Sequence, residues 1–220
     1  MTDSPLTCRY CWLGRVEYPR ARAMQEELVN LVHDGQSPNI LLLLEHPHVY
    51  TRGRLSREEH QLTPEDELAA LGAPVHETDR GGQITYHGPG QLVGYPVINL
   101  RQLGMGPLQY IRTLEQVIID ALGEFAIPAH AEPGLTGVWT AGGKAAAIGV
   151  KISRGVAFHG FALNVDPDLS YYRHIVPCGI SDRPVTSMAA LLGRTVDMAA
   201  VRAILVRRFG AAMGLAMAEG

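Results

Sequence analysis

Apolar residues along the chain follow helical spacing in some segments and extended spacing in others. Met24, Leu28 and Leu31 recur every three or four residues, which predicts a helix over residues 20–34. Residues 40–45, ILLLLE, form a short continuous apolar run that is typical of a buried strand. The chain therefore begins with a mixture of helix and strand.

The same patterns continue to the other end of the chain. Residues 46–62 are polar and predicted to be irregular, and a helix is expected from Thr63-Pro64 to Gly72. Further strands are predicted near 75–78, 83–87 and 92–99, and further helices over 107–126, 186–192 and 197–213, the last capped by Asp197. Because strands and helices do not alternate strictly, we expect an α+β fold with a mixed β-sheet flanked by helices.

A hairpin is predicted in residues 144–165, where Arg154-Gly155 separates two apolar runs. The shortest turn pairs Ser153 with Val156. The same register places Gly149 opposite Gly160 and Ala147 opposite Ala162 on one face, and Ile148 opposite Phe161 and Val150 opposite His159 on the bulky, core-facing side. The face of small residues suits either the floor of a slot for a slender apolar group or close packing of a helix.

Glycine and polar residues are concentrated in residues 79–97, DRGGQITYHGPGQLVGYPV. This segment is neither a Walker A loop nor a G-x-G-x-x-G turn that opens a helix. It contains either two ordinary turns or a loop that contacts a ligand, and the density of hydrogen-bonding groups favours the ligand-contacting loop. His46 and His48 lie upstream without a clear third ligand, so we expect no metal site there.

Composition narrows the class of protein. The 220 residues are 46% hydrophobic and 19% charged, which is ordinary for a globular protein, and we expect one domain over residues 1–220. The net charge of −3 argues against a general binder of nucleic acid. No run of 18 apolar residues and no secretion signal are found, so we expect a cytoplasmic protein without a membrane span.

Three cysteines cannot form a closed disulfide framework, so free thiols are expected. Cys8 and Cys11 form a C-x-x-C pair that lacks further metal ligands, and a structural role is favoured for it. Cys178, in IVPCGISDRPVTS, is either a small buried hydrophobic residue or a nucleophile. From the residues alone, Lys144, His87 and His159 all stay open as its basic partner.

Four segments together resemble the lipoyl(octanoyl) transferase family. They are EHPHVYTRGR (45–54), RGGQITYHGPGQLVGYPV (80–97), GGKAAAIGVKISRGVAFHGFALNV (142–165) and IVPCGISDRPVTS (175–187), in the order and spacing of that family. The resemblance covers roughly residues 20–210. Arg52 departs from the pattern, since many members carry an apolar residue there, and Cys8 and Cys11 lie outside the matching region.

The resemblance implies a fold similar to the catalytic module of biotin and lipoate protein ligases, and transfer of an octanoyl or lipoyl group without a cofactor or metal. The implied donor is octanoyl-acyl carrier protein. The implied acceptors are lysines of lipoyl domains in 2-oxoacid dehydrogenases and of glycine cleavage H protein. Its acyl-thioester cysteine falls on Cys178 and the partner lysine on Lys144. Its substrate-binding residues fall on Arg80, Gly81, Gly82, Gln83, Ile84, Thr85, Tyr86, His87, Ala147, Ile148, Gly149, Gly160, Phe161 and Ala162.

Three other functions compete with this one. An ATP-dependent lipoate or biotin ligase would activate a carboxylic acid and would not need Cys178. A cysteine hydrolase would pass the acyl group to water, and a non-catalytic binder of acylated domains would need no nucleophile.

A basic rim of arginines would attract an acidic carrier protein. Scattered surface charge explains the same arginines equally well. The candidate rim residues are Arg52, Arg54, Arg57, Arg154, Arg173 and Arg183.

Overall fold

The main sheet of the chain has eight strands within the described residues. A computed structural model describes residues 6–177 and 183–220. In chain order the main-sheet strands are β1 (Thr7–Arg15), β2 (Asn39–Glu45), β6 (Gln91–Asn99), β7 (His130–Glu132), β8 (Leu135–Thr140), β9 (Gly143–Ser153), β10 (Val156–Asn164) and β11 (Ala216–Glu219). Their order across the sheet is β11-β1-β2-β6-β10-β9-β8-β7. Strand β1 runs parallel to β2 and β11, and the other pairs are antiparallel.

Helices cover both faces of this sheet. Helix α1 (Tyr18–His33) packs on β6 and β10, whereas α3 (Pro107–Gly123) and α5 (Met198–Met213) pack together on the opposite face. Val29 and Val32 of α1 meet Val97 and Phe158, because apolar residues three or four apart share one helical face. The predicted α+β class, a mixed sheet flanked by helices, is confirmed.

A second sheet of three strands lies beside the first. It contains β3 (Val49–Arg52), β4 (Val75–Glu77) and β5 (Thr85–His87) in the order β4-β3-β5. The prediction that residues 46–62 are irregular is wrong for β3. This strand is only four residues long, and its partners come from later in the chain, so local periodicity could not reveal it.

The other predicted elements are present with shifted ends. Short helices α2 (Glu65–Ala70) and α4 (Met188–Leu192) lie within the predicted ranges. The carboxylate of Asp197 accepts a hydrogen bond from the Ala199 amide at 2.9 Å, which confirms the predicted cap of α5. Strands β1, β7, β8 and β11 were not predicted. In the described part of the chain, no helix has the length and apolar character needed to cross a membrane.

Candidate active site

The β9–β10 hairpin forms the floor of a narrow cavity. The strands pair in the predicted register, with Gly149 opposite Gly160 and Ala147 opposite Ala162. All four of these residues line one narrow cavity that is partly open to solvent. The methyl groups of Ala147 and Ala162 leave space above the floor. The two glycines allow close backbone approach instead, because a Cβ on Gly160 would lie 2.2 Å from Gly94 O and one on Gly149 would lie 2.8 Å from Gly81 O. Of the two interpretations of this face, the slot therefore holds; we call this cavity the acyl slot.

Residues 80–87 form the roof of the acyl slot. This segment is held from two sides, since the Gly81 amide donates to Val150 O at 2.9 Å and the Leu55 amide donates to Gly82 O at 3.0 Å. At Gly53 a Cβ atom would lie 2.4 Å from Gly82 O, so a glycine is required for this close approach. The ligand-contacting interpretation of the glycine-rich segment is supported, because its residues lie directly above the floor.

Most of the substrate-binding residues implied by the resemblance meet at the acyl slot. From the roof these are Arg80, Gly82, Gln83, Thr85 and His87, and from the floor Ala147, Ile148, Gly149, Gly160, Phe161 and Ala162. Gly81 connects roof to floor through its bond to Val150. Eleven residues from three separate segments of the chain thus line one cavity.

Ile84 and Tyr86 are the exceptions among the implied substrate-binding residues. Both are fully buried in the core of the small sheet with Tyr50 and Leu68, and neither lines the acyl slot. Successive residues of an extended segment point to opposite faces, so Thr85 and His87 face the slot while Ile84 and Tyr86 face away. Direct contact of these two residues with an acyl chain is therefore not supported.

Three residues that line the acyl slot were not predicted as substrate-binding: Tyr18, Tyr95 and His159. The prediction that His159 shares the core-facing side with Val150 is wrong, although the two residues do pair. His159 has a φ of 55°, and its Nε2 lies 2.8 Å from Asp79 Oδ1. Strand alternation does not apply to a residue in the left-handed region, so its ring lies at the slot.

Lys144 is the second residue of strand β9 and lies in a smaller cavity next to the acyl slot. The two cavities share Thr85 and Ala147, so the slot leads toward the lysine. Lys144 is 5% exposed, and its Nζ lies 5.3 Å from the centre of the Trp139 ring. A cation over an indole face is stabilised by the ring quadrupole. Gly137 makes space for this side chain, because a Cβ there would lie 2.5 Å from Lys144 Cε.

Cys178 lies outside the described residues, but the chain on both sides of it approaches Lys144. Pro177 lines the cavity of Lys144 together with Val185. The Lys144 amide donates to Pro184 O at 2.9 Å, and the Thr186 amide donates to Lys144 O at 3.0 Å. Lys144 and Val185 therefore form an isolated parallel β-bridge, which holds residues 184–186 against the residue that the resemblance pairs with Cys178.

A buried hydrogen-bond network connects the roof of the slot to this bridged segment. His87 Nδ1 lies 2.7 Å from Gln91 Oε1, and Gln91 Nε2 donates to Asn164 Oδ1 at 2.8 Å. Asn164 Nδ2 in turn donates to Thr186 O at 3.0 Å. Since buried polar groups are costly unless they are paired, the network fixes the relative positions of roof, floor and Lys144 segment.

The histidines near the slot have hydrogen-bond partners inside the protein. His46 contacts Val16 O through Nδ1 and the Tyr95 hydroxyl through Nε2, and His48 Nδ1 contacts the Tyr86 hydroxyl. No group of three or more histidine, cysteine or acidic residues that could hold a metal occurs in residues 6–177 and 183–220. Both ring nitrogens of His46 thus form hydrogen bonds within the protein.

The C-x-x-C pair of β1 splits across the main sheet. Cys8 packs in the core under α3 and α5, whereas Cys11 packs with residues on the α1 side. Residues three apart in a strand point to opposite faces, so the two thiols cannot share a metal or a disulfide. Burial, with a smaller contribution from Cys11, raises the pKa of Cys8 to about 12. The structural role predicted for Cys8 fits this environment.

The candidate arginine rim is divided among separate regions. Arg52, which departs from the family pattern, forms salt bridges with Glu65 at 2.5 Å and with Glu77 at 2.8 Å. Arg183 pairs with Glu132 at 3.2 Å. Arg154 lies at the hairpin turn, ten residues along β9 from Lys144, or roughly 30 Å in an extended strand. Arg154 therefore lies far from Lys144 along the hairpin, and Arg52 and Arg183 are already paired with carboxylates.

Solved structures share this architecture. A crystal structure of lipoate-protein ligase A bound with ATP has a TM-score of 0.78 at 16% identity, covering 98% of this chain and 89% of that chain. Biotin protein ligase from Aquifex aeolicus has a TM-score of 0.53 at 16% identity, covering 93% and 68%. These similarities define the class of fold: it is the catalytic module of lipoate and biotin protein ligases, as the resemblance implied.

Sequence comparison narrows this class. The model of the lipoyl protein ligase A/B catalytic domain matches residues 17–210. The octanoyltransferase of Geobacter metallireducens is 50% identical over 197 residues, covering 90% of this chain and 89% of that protein. The chain therefore belongs to the octanoyltransferase family, which confirms the resemblance seen in its four sequence segments.

Proposed function

We propose that this protein transfers an octanoyl group from acyl carrier protein to a lysine of a lipoyl domain, through a thioester on Cys178. One observation carries the proposal. The acyl slot lies next to the cavity that is lined by Lys144 and by Pro177, the residue before Cys178, and the two cavities share Thr85 and Ala147. A slender apolar group in the slot would therefore have its reactive end beside Lys144.

The dimensions of the slot fit an octanoyl chain. Ala162 lines the slot near the cavity of Lys144, and His159 lines it three residues away along β10. Three residues of extended strand span about 10 Å. Seven carbon–carbon bonds of about 1.5 Å each, in a zigzag, extend about 9 Å. An eight-carbon acyl group therefore fills this length.

In the first half-reaction, the Cys178 thiolate attacks the thioester carbonyl of the donor. A new sulfur–carbon bond forms, the carrier's sulfur–carbon bond breaks, and the leaving carrier thiolate takes a proton from Lys144. A thiol with an ordinary pKa near 8.5 is only about 3% ionised at pH 7, so a nearby ammonium group increases the reactive fraction by at most about thirtyfold. Lys144 would supply that charge. Because enzymes accelerate reactions by at least about a millionfold, positioning of the acyl chain must contribute more.

In the second half-reaction, the acceptor lysine must lose a proton before its amine attacks the acyl group. We assign the transfer of that proton to Lys144. Acylation removes the negative charge of Cys178, and with it the attraction that held the proton on Lys144. The two residues thus act as one titrating unit. The amide bond forms, the thioester breaks, and the thiolate is restored beside the protonated Lys144, while the second proton of the attacking nitrogen is released to solvent.

Transfer assays with purified components test this function. Octanoyl-acyl carrier protein and a lipoyl domain are mixed with the protein in the absence of ATP, and the octanoyl-lysine product is measured by mass spectrometry. We expect product with the natural sequence and none with Cys178→Ser. Release of free octanoate without modified lysine would indicate a hydrolase, and dependence on ATP would indicate a ligase. Full activity of Cys178→Ser would contradict the covalent mechanism.

The role of Lys144 needs a separate comparison. Lys144→Ala should slow both acyl loading and transfer, and Arg207→Ala, which removes an exposed cation of α5 on the opposite face of the sheet, provides the control. Rates equal to those of the natural sequence for Lys144→Ala in both half-reactions would remove Lys144 from the mechanism. The cytoplasmic location remains a prediction.

A further inference from the structure

The acyl slot runs in one direction along the hairpin. The cavity of Lys144 is lined by Ala146 and Ala147 of β9 and by Asn164 of β10. The acyl slot continues from Ala147 to Gly149 on β9, and from Ala162 to His159 on β10. Both strands give the same order, so the end of the slot that lies farthest from Lys144 is at Gly149 and His159.

Roof and floor meet at this far end. The Gly81 amide donates to Val150 O at 2.9 Å, and a Cβ on Gly149 would lie 2.8 Å from Gly81 O. The Arg80 side chain is also close, since its Cδ would lie 3.2 Å from that Cβ. There is no space for a methylene between backbone segments at this distance. The slot therefore closes at Gly149.

His159 lies on the remaining side of the closed end and is held by two hydrogen bonds. Its amide donates to Gln25 Oε1 of α1 at 2.9 Å, and its Nε2 lies 2.8 Å from Asp79 Oδ1. Asp79 is itself fixed by Lys151 at 2.7 Å. The φ of 55°, unusual for a non-glycine residue, turns the imidazole toward the slot. The side chain is 2% exposed and is thus enclosed by protein.

We propose that the imidazole of His159 is the end wall of the acyl slot and determines the longest acyl chain that the enzyme accepts. This inference rests on the proposed function. An octanoyl group of about 9 Å fills the path of about 10 Å from Ala162 to His159, whereas each further pair of methylenes adds about 2.5 Å. A decanoyl group would therefore meet the imidazole, and His159 acts as a specificity-determining residue.

His159→Asn is the informative variant. Asparagine tolerates the left-handed region and has a shorter side chain, so it should open the end of the slot with little backbone strain. Loading of Cys178 by hexanoyl, octanoyl, decanoyl and dodecanoyl donors is measured by intact mass. We expect the ratio of decanoyl to octanoyl loading to rise about fourfold for each methylene that gains apolar contact. Arg154→Asn is a matched control, because Arg154 has a φ of 52° on the same hairpin and does not line the slot.

The outcomes separate this inference from the proposed function. No loading of the natural sequence by any donor would overturn the proposed function itself. Normal octanoyl loading with an unchanged chain-length profile in a folded His159→Asn would overturn the end wall alone. If that variant does not fold, a structure of the octanoyl-loaded natural protein shows whether His159 is the end wall of the slot. We expect the terminal methyl within about 4 Å of the His159 ring, and a terminal methyl elsewhere would overturn the proposal.

Discussion

Acidification should destabilise this protein steeply, because two adjacent imidazoles are buried in their neutral form. His46 is fully buried, His87 is 6% exposed, and their ring centres are 5.7 Å apart. Burial lowers the pKa of His46 to about 4, while its contact with Val16 O opposes this shift. Burial, followed by the neighbouring His46, lowers the pKa of His87 to about 3.

Hydrogen bonds favour the neutral form of each ring. A carbonyl oxygen can only accept, so Nδ1 of His46 donates to Val16 O and Nε2 is left to accept from the Tyr95 hydroxyl. In the same way, Nδ1 of His87 donates to Gln91 Oε1. The other nitrogen of His87 faces Thr51 Oγ1, which already accepts from Arg80. A proton added to His87 would therefore be placed close to a guanidinium group.

The magnitude follows from linkage. The unfolded chain protonates both histidines as the pH falls through about 6.5, while the folded protein keeps them neutral down to about pH 4. Stability is thus fully present above pH 6.5 and is lost as the pH falls below it. Where both histidines are protonated in the unfolded chain and neutral in the folded protein, the free energy of unfolding falls by about 2.7 kcal/mol per pH unit. Between pH 7 and pH 5 the total decrease is about 3–4 kcal/mol. Burial also lowers the pKa of His48 and of His159, which adds to the loss.

Urea unfolding at several pH values measures this effect. The free energy of unfolding is obtained between pH 7 and pH 5 for the natural sequence and for His46→Asn, whose amide can still donate to Val16 O. We expect the free energy of unfolding of the variant to depend less on pH, by about 1.3 kcal/mol per pH unit. His33→Asn, at the partly exposed end of α1, is the control and should keep the slope. A stability that is flat over this range, or an equal slope in His46→Asn, would refute the reasoning.

Three further predictions concern the site and the core. Gly137→Ala places a Cβ 2.5 Å from Lys144 Cε at a φ of 130°, so octanoyl transfer should fall at least about tenfold; an unchanged rate would show that Lys144 does not depend on this space. A hexanoyl donor loses two buried methylenes, about 1.6 kcal/mol, so its kcat/KM should be about fifteenfold below that of octanoyl, and equal values would contradict an apolar slot. Cys8 should resist alkylation by iodoacetamide in the folded protein and react after unfolding, as followed by peptide mass; rapid labelling of the folded protein would contradict its burial.

Local sequence patterns predicted the elements whose geometry is set by neighbouring residues. The hairpin register was predictable because a two-residue turn leaves little freedom, and Arg154 and Gly155 both have the positive φ that such a turn requires. The asymmetry of its two faces then follows from strand alternation. The face of small residues that forms the floor of the acyl slot was therefore predictable from the sequence, whereas its use as a slot or as a surface for a packed helix was not.

Features set by distant parts of the chain were not predictable in this way. Strand β3 depends on partners at 75–77 and 85–87, and β1 depends on β2 and β11. His159 departs from strand alternation because Gln25 and Asp79 hold its amide and its ring. Tyr18 reaches the slot from α1, and no local pattern marks it. In each case the deciding contact joins residues far apart in sequence.

The central claim is that an acyl group passes through Cys178 beside Lys144, and intact mass spectrometry tests it most directly. The protein is incubated with octanoyl-acyl carrier protein alone, and its mass is measured before and after a lipoyl domain is added. We expect a gain of about 126 Da, located on Cys178 by peptide analysis, that disappears as the lipoyl domain gains the same mass. Modified lipoyl domain without any acylated Cys178, at time points that resolve the first turnover, would contradict the account.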